Sequence, residues 1–469
     1  MRFVVAASAL GVLLLVLVAC GGGSSNSGSN PQPNMATLQV NIGDAPSDQL
    51  VAFGMTITSM TFTNSAGTAV PVMSSSATTE MMHLMGTMQP LSLMQMAQGT
   101  YTKASITINN MAVAYMNPAN RQMVQKAIAG PMTSVVNFSP NLTMGSTPMV
   151  VNFDLDMANS VSIDNMGNVS FSPVFTVSMN AGGSGGGSPY NGGIQHMMGS
   201  VGSSSGSSFS FGMMENSSPM TIATNSSTQF VGMSGMGMMS NNQIVTVDAV
   251  MQPDGSMMAN EVENVMSSGG AMAMGLVTSL TGNPVTQLTL VANDVGGNGM
   301  MTSNLGGVMT VNVDSGTSFS IDSDGVDMTN LPFAPAFDAT TIFKGQFVDA
   351  DSSSGMMSGS GMGGGMMGSG MMGGGTLTAT DIRLEQQGLS GTVAAYTSRG
   401  SQATFMLILP SGSAFTTLTG ASMITVFQQA GTRLSGISSI SNASPVHVRG
   451  LIFLDAGTYK LVASRIMGP

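Results

Sequence analysis

The chain has few of the residues that cross-link small folds or mark metal and redox centres: one cysteine, three histidines and no tryptophan in 469 residues. A lone cysteine excludes internal disulfides and thiolate metal clusters, so stability has to come from packed cores. Charge is scarce too, at 7% of residues, and 22 acidic against 11 basic side chains give a net charge of −11. That balance argues against nucleic acid and against anionic lipid surfaces as partners. In excess are glycine, at 61 residues, and methionine, at 49.

The single cysteine sits at an informative place. Arg2 opens a segment whose apolar run from Phe3 to Val18 ends in Leu17-Val18-Ala19-Cys20, followed by Gly21-Gly22-Gly23-Ser24-Ser25. The run is about 16 residues, shorter than the roughly 20 that a spanning helix needs. A positive start, an apolar stretch and small residues before a cysteine resemble a bacterial lipoprotein signal. The resemblance implies a signal peptide over 1–19 and lipidation of Cys20, by acyl chains such as palmitate. Those chains would hold the protein at a membrane by burying methylenes at about 0.8 kcal/mol each. In such proteins an aspartate after the cysteine favours inner-membrane retention, so Gly21 implies an exported protein at the outer membrane.

Residues 20–35 are nearly devoid of apolar side chains and read as a flexible tether. Period-two alternation then begins at Leu38-Gln-Val40-Asn-Ile42 and ends in Gly43-Asp44-Ala45-Pro46, a strand running into a turn. Similar runs lie at Met55 to Phe62, Tyr101 to Ile108, Met111 to Tyr115, Val150 to Leu155 and Phe175 to Val177. Val161-Ser-Ile163 and Val169-Ser-Phe171, around a polar Asp164 to Asn168 loop, spell a hairpin. So many short strands predict a β-sandwich over 36–179. Leu38 to Pro46, Gln98 to Lys103 and Phe171-Ser172-Pro173-Val174-Phe175 resemble the landmarks of domain of unknown function 4382. This resemblance implies a sandwich of the kind found in bacterial lipoproteins, and no activity.

After a Gly/Ser linker at 180–193 the sequence repeats. Gly199-Ser-Val201, Gly275-Leu-Val277 and Gly391-Thr-Val393 open three segments, which close on Ala259 to Val262, Ala379 to Ile382 and Ala463 to Ile466. Gly255, Gly375 and Gly457 precede the closes, and alternating strands such as Val245 to Ala249 and Val446 to Gly450 lie before them. The pattern resembles domain of unknown function 5666. It implies small barrels of the oligonucleotide/oligosaccharide-binding kind, with narrow apolar interiors. The predicted units are 194–266, 271–386 with a Gly/Met-rich insertion at 355–375, and 387–469. The fold class is therefore all-β: a sandwich followed by about three OB-like barrels.

Signals for chemistry are sparse. Gly182 to Gly186 and Gly202 to Gly206 match the Gly-x-Ser-x-Gly spelling, but neither lies between a buried strand and a helix, as a nucleophile elbow must. His83 and His196 neighbour methionines, and His447 lies inside a strand facing outward. Asp322, Asp324 and Asp327 share a loop, yet the glycine comes too early for an EF-hand and no glutamate takes the twelfth position; a solvated acidic turn is the plainer reading. Met356, Met357, Met362, Met366, Met367, Met371 and Met372 put seven thioethers on a glycine backbone, and Met233, Met236, Met238 and Met239 form a smaller group. Soft thioethers select Cu(I). Methionine is spread over the whole chain, however, including strand positions where it replaces Leu or Val.

The sequence thus predicts a non-enzymatic, lipid-anchored envelope protein without cofactor, acting as a scaffold or a binding module for an envelope protein or glycan. Two alternatives remain, a Cu(I)-binding or methionine redox-buffering protein and an envelope enzyme whose site has no local signature.

Overall fold

The computed structural model describes residues 34–468 apart from 46–48, 85–86, 118–119, 121, 165–166, 184–187, 214–218, 267–269, 298–299, 354–374 and 438. Strands dominate it. The first strands in chain order are β1 (Met35–Ala45), β2 (Leu50–Asn64), β3 (Ala69–Pro71), β4 (Ala77–Glu80), β5 (Met88–Ala97) and β6 (Gly99–Met116). Then come β7 (Met123–Ile128), β8 (Met132–Met144), β9 (Met149–Asp156), the short helix α1 (Met157–Ser160), β10 (Val161–Ile163), β11 (Val169–Phe171) and β12 (Phe175–Ala181).

They form a sandwich. One sheet has the order β12-β9-β1-β5; the other runs β3-β2-β6-β7, with β4 added to β2 and β8 to β6. Leu38, Val40 and Ile42 turn one face of β1 into the core. Phe62 of one sheet and Phe153 of the other meet with ring centroids 6.0 Å apart. The predicted hairpin is present as β10 paired with β11. The turn expected at Gly43 to Pro46 is not formed by 43–45: β1 continues to Ala45, because parallel pairing with β9 supplies ladder partners as far as Asp156. Ladder bonds override local turn composition there. The runs at 101–108 and 111–115 are one strand, β6, with Asn110 at φ 49 where the register with β2 shifts.

Three further units repeat one plan. The first has β13 (Ile194–Ser205), β14 (Ser208–Gly212), β15 (Met220–Ala223), β16 (Gln229–Val231), β17 (Ile244–Met251) and β18 (Met257–Met266). The second has β19 (Ala271–Gly282), β20 (Val285–Gly297), β21 (Met300–Asn312), β22 (Ser318–Ile321), β23 (Phe347–Ser352), β24 (Gly375–Thr378) and β25 (Asp381–Leu384). The third has β26 (Gln387–Arg399), β27 (Gln402–Ile408), α2 (Ala414–Thr419), β28 (Met423–Ser435), β29 (Pro445–Asp455) and β30 (Thr458–Met467).

In the third unit the ring β26-β27-β28-β30-β29 is closed, with β28 and β30 the one parallel pair. The first unit follows the same ring with β28 replaced by β15 and β16, both parallel to β18. In the second both members of that pair are split, so β21 runs with β24 and β22 with β25. Val201, Val277 and Val393 of the opening motifs point into their barrels and are buried. Each opening glycine lies against the neighbouring strand. A Cβ at Gly199 would come 2.6 Å from the Gly212 carbonyl, and at Gly275 and Gly391 it would overlap the carbonyls of Val291 and Ile408. Gly255 and Gly457 have the positive φ of turn glycines, whereas Gly375 begins β24.

The closing Ala-x-x-Val/Ile motif is held by a residue the sequence pattern did not reveal. Thr228 Oγ1 donates to the Ala259 carbonyl at 2.8 Å, Thr317 Oγ1 to Ala379 at 2.8 Å and Thr432 Oγ1 to Ala463 at 2.7 Å. Each hydroxyl also accepts from a backbone N–H three residues earlier, that of Asn225, Asp314 or Gln429. The clip spans the gap between the two parallel pairings of the third and last strands.

Candidate functional site

The barrels do not trail from the sandwich in a row; every pair of units touches. Gln89 Nε2 of the sandwich donates to the Met213 carbonyl of the first barrel at 3.2 Å, and Asn293 Nδ2 of the second donates to Glu80 Oε2 at 3.2 Å. Arg465 Nη2 of the third reaches Gln195 Oε1 of the first at 3.2 Å. Gln346 Nε2 of the second donates to the Ile452 carbonyl of the third at 2.9 Å. Just before the first barrel, the Tyr190 carbonyl accepts from Asn152 and Asn180 of the sandwich. Val51 and Met116 of the sandwich, Val291 of the second barrel and Ala414 of the third make a small shared core.

Beside that shared core lies a cavity of about 70 Å³. Its apolar wall includes Leu50 and Met82 from the sandwich, Leu276 and Phe347 from the second barrel, and Leu389 and Phe415 from the third. The polar lining is Asn293, Gln386, Gln387 and Arg449. Gln387 is committed at both ends, accepting from Phe347 N at 2.8 Å and donating to the Gly345 carbonyl at 2.8 Å. Gln386 is held likewise by Ser464 Oγ and the Asp324 carbonyl. Asn293 Oδ1 is buried without a hydrogen-bond partner. Burial and the Arg465 guanidinium push Arg449 down to about 10, against the pull of Glu385 and Asp322.

A second polar cluster lies where the first and second barrels meet. Arg383 Nε pairs with Glu385 at 2.9 Å, Nη2 with Asp349 at 3.4 Å and Nη1 with Glu263 of the first barrel at 3.5 Å. Val348, Ala350, Ile382 and Leu384 fill the barrel interior, so the alternating Asp349, Asp351, Asp381 and Arg383 lie on its outer face. Burial, then the Asp349 charge, push Asp351 up to about 9. Burial opposes the charge of Arg383, but Glu385, Asp349, Glu263 and Asp322 overcome it and raise its pKa. Among the described residues, no three His, Cys, Asp or Glu side chains converge to hold a metal ion.

Cys20 and the Met356, Met357, Met362, Met366, Met367, Met371 and Met372 group lie outside the described residues, as do the side chains of His83 and His196. Met233 and Met239 are buried and join the core, while Met238 is exposed. Asp322 and Asp327 accept from backbone N–H groups two residues on, closing their own turns. Ser204 pairs with Phe209 at a β-hairpin, so Gly202 to Gly206 is no elbow. His447 sits on the outer face of β29 with Nδ1 2.7 Å from Ser390 Oγ, and burial lowers its pKa against the pull of Asp156. The Asp156 carboxylate itself caps α1 through Asn159.

Residues 199–263 match a family described as a domain of unknown function (DUF5666). The match covers most of the first barrel, from Gly199 to Glu263, and agrees with the resemblance read from the repeat. No curated protein matches the chain.

Proposed function

We propose that this chain is a non-enzymatic, lipid-anchored envelope protein whose β-units present one surface of fixed shape to a protein or glycan partner. The observation that carries the reading is the set of contacts between every pair of units, which makes four folding units behave as one body. Anchoring rests on the Leu17 to Cys20 spelling and the polar 21–35 segment that follows it. The absence of aspartate at position 21 favours the outer membrane. Residues 36–179 are the sandwich resembling domain of unknown function 4382, and 194–266, 271–386 and 387–469 are the barrel units. The acidic balance, −11 in net charge, suits a partner other than nucleic acid.

The Cys20→Ser variant tests the anchor, because it removes the only thiol available for acylation. The wild-type chain should pellet with membranes and carry the added mass of lipid, and the variant should be released without it. A variant that stays in salt-washed membranes at wild-type mass overturns the anchor.

A further inference from the structure

The sandwich leaves one long sheet edge open. Among the described residues β8 pairs with β6 alone, Met132 to Asn137 lying opposite Ile108 to Lys103, and none of the hydrogen bonds between units reaches its other side. The N–H and C=O of every second residue therefore point outward, a row that another strand can take up. Natural edges are usually blunted by charge or by proline. Here Pro131 and Pro140 stand only at the two ends of the run, and no charged residue occurs from Ala127 to Phe153. Thr133, Val135 and Asn137 line its solvent face, with Val135 58% exposed, level with Met238 and above the other exposed large apolar side chains.

We propose that β8 is the contact of a homodimer, in which two copies of this chain pair their β8 edges antiparallel about a two-fold axis at Val135. The open backbone row selects an extended strand, and charge selects which one. At −11 net, two copies repel each other, whereas the uncharged stretch 127–153 lets them meet without opposed carboxylates. The strand is also its own complement. With the axis at Val135, that side chain meets the partner's Val135, Thr133 meets the partner's Asn137 and Met132 meets the partner's Phe138, so apolar faces apolar and hydroxyl faces amide. The pairing joins β3, β2, β6 and β8 of each copy into one sheet. Both edges are used up, so growth stops at two. The inference stands on the edge alone and holds whether or not Cys20 carries lipid.

Cysteine cross-linking of the full chain in detergent tests it, in a Cys20→Ser background that leaves one thiol. Val135→Cys should form a disulfide dimer on mild oxidation. Thr133→Cys should not, because its two copies would stand four residues apart along the strands, more than about 13 Å. Mixing Thr133→Cys with Asn137→Cys chains should restore the dimer. Sedimentation equilibrium supplies a measurement that needs no new thiol. Val135→Lys should weaken dimerisation at least tenfold at an unchanged melting temperature, while Val174→Lys, at an exposed valine outside β8, should stay within twofold. A dimer that Val135→Lys leaves intact or that Val135→Cys fails to cross-link would overturn the proposal, as would Thr133→Cys cross-linking equally well. So would a chain that stays monomeric at every concentration, which would leave the edge to a strand of another protein.

Discussion

Glu80 and Asn293, 213 residues apart in sequence, are joined by a 3.2 Å hydrogen bond between the end of β4 in the sandwich and β20 in the second barrel. The same Glu80 carboxylate accepts from Phe53 N at 2.8 Å and Met82 N at 3.0 Å. One side chain therefore both completes the sandwich and fastens it to a neighbour.

Glu80→Ala should consequently cost more than a surface substitution. It leaves two backbone N–H groups and the Asn293 amide without their acceptor, with a penalty on the order of 2–4 kcal/mol. Chemical denaturation of the variant should show a lower midpoint, and Glu80→Gln should recover part of the loss because its carbonyl still accepts. Loss below about 0.5 kcal/mol would show that the carboxylate is hydrated rather than shared.

Thr228→Val keeps the shape of the clip residue and removes its hydroxyl, stranding the Ala259 carbonyl and the Asn225 N–H. The expected cost is about 1–3 kcal/mol, read as a lower denaturation midpoint. Thr432→Val should behave alike in the third barrel, since Ala463 and Gln429 meet it in the same way. A neutral effect in both would remove the clip from the barrel plan.

Gly391→Ala places a methyl group against the Ile408 carbonyl, and overpacking of this kind costs about 1–3 kcal/mol. At Gly145, where an added Cβ meets nothing within 4 Å, the same change should leave the melting temperature nearly unmoved. Equal behaviour of the two variants would contradict the close strand approach.

Asp351 makes stability depend on pH. Its pKa in the folded chain is raised from the ordinary carboxylate range to about 9, first by burial and then by Asp349. Below the unfolded value both states hold the proton and the group contributes nothing. As pH rises between the two values the unfolded chain releases it first, so stability falls until the folded pKa is passed. Asp44 and Asp349 are shifted the same way, mainly by burial, while the lowered His447 acts oppositely only below about pH 6.5. Melting temperature should thus decrease from about pH 6.5 to 9, and Asp351→Asn should flatten that slope. An unchanged slope in the variant would mean that Asp351 is ionised in the fold.

The all-β class, the strand positions and the barrel repeats were legible because alternation reports which face of a strand is buried, and the glycines of Gly199, Gly275 and Gly391 report a close approach. What covers the other face is not written in that period. Glu80, Asn293, Asp349 and Arg449 are polar residues that a sequence reading assigns to solvent, and each is wholly or partly withdrawn from it by a neighbouring unit. The threonine clip escaped for a different reason. Thr228 and Thr432 stand 31 residues before their alanines, but Thr317 stands 62 before Ala379, because the second barrel carries an insertion. A fixed repeat length hides a contact whose partners lie on either side of a variable loop.

Scanning calorimetry of the intact chain tests most directly whether the four units act as one body. Contacts between every pair of units predict one dominant transition whose calorimetric and van't Hoff enthalpies agree. Separate transitions, one of them reproduced by an isolated 36–179 fragment at the same temperature, would contradict it and leave the sandwich and barrels as independent domains.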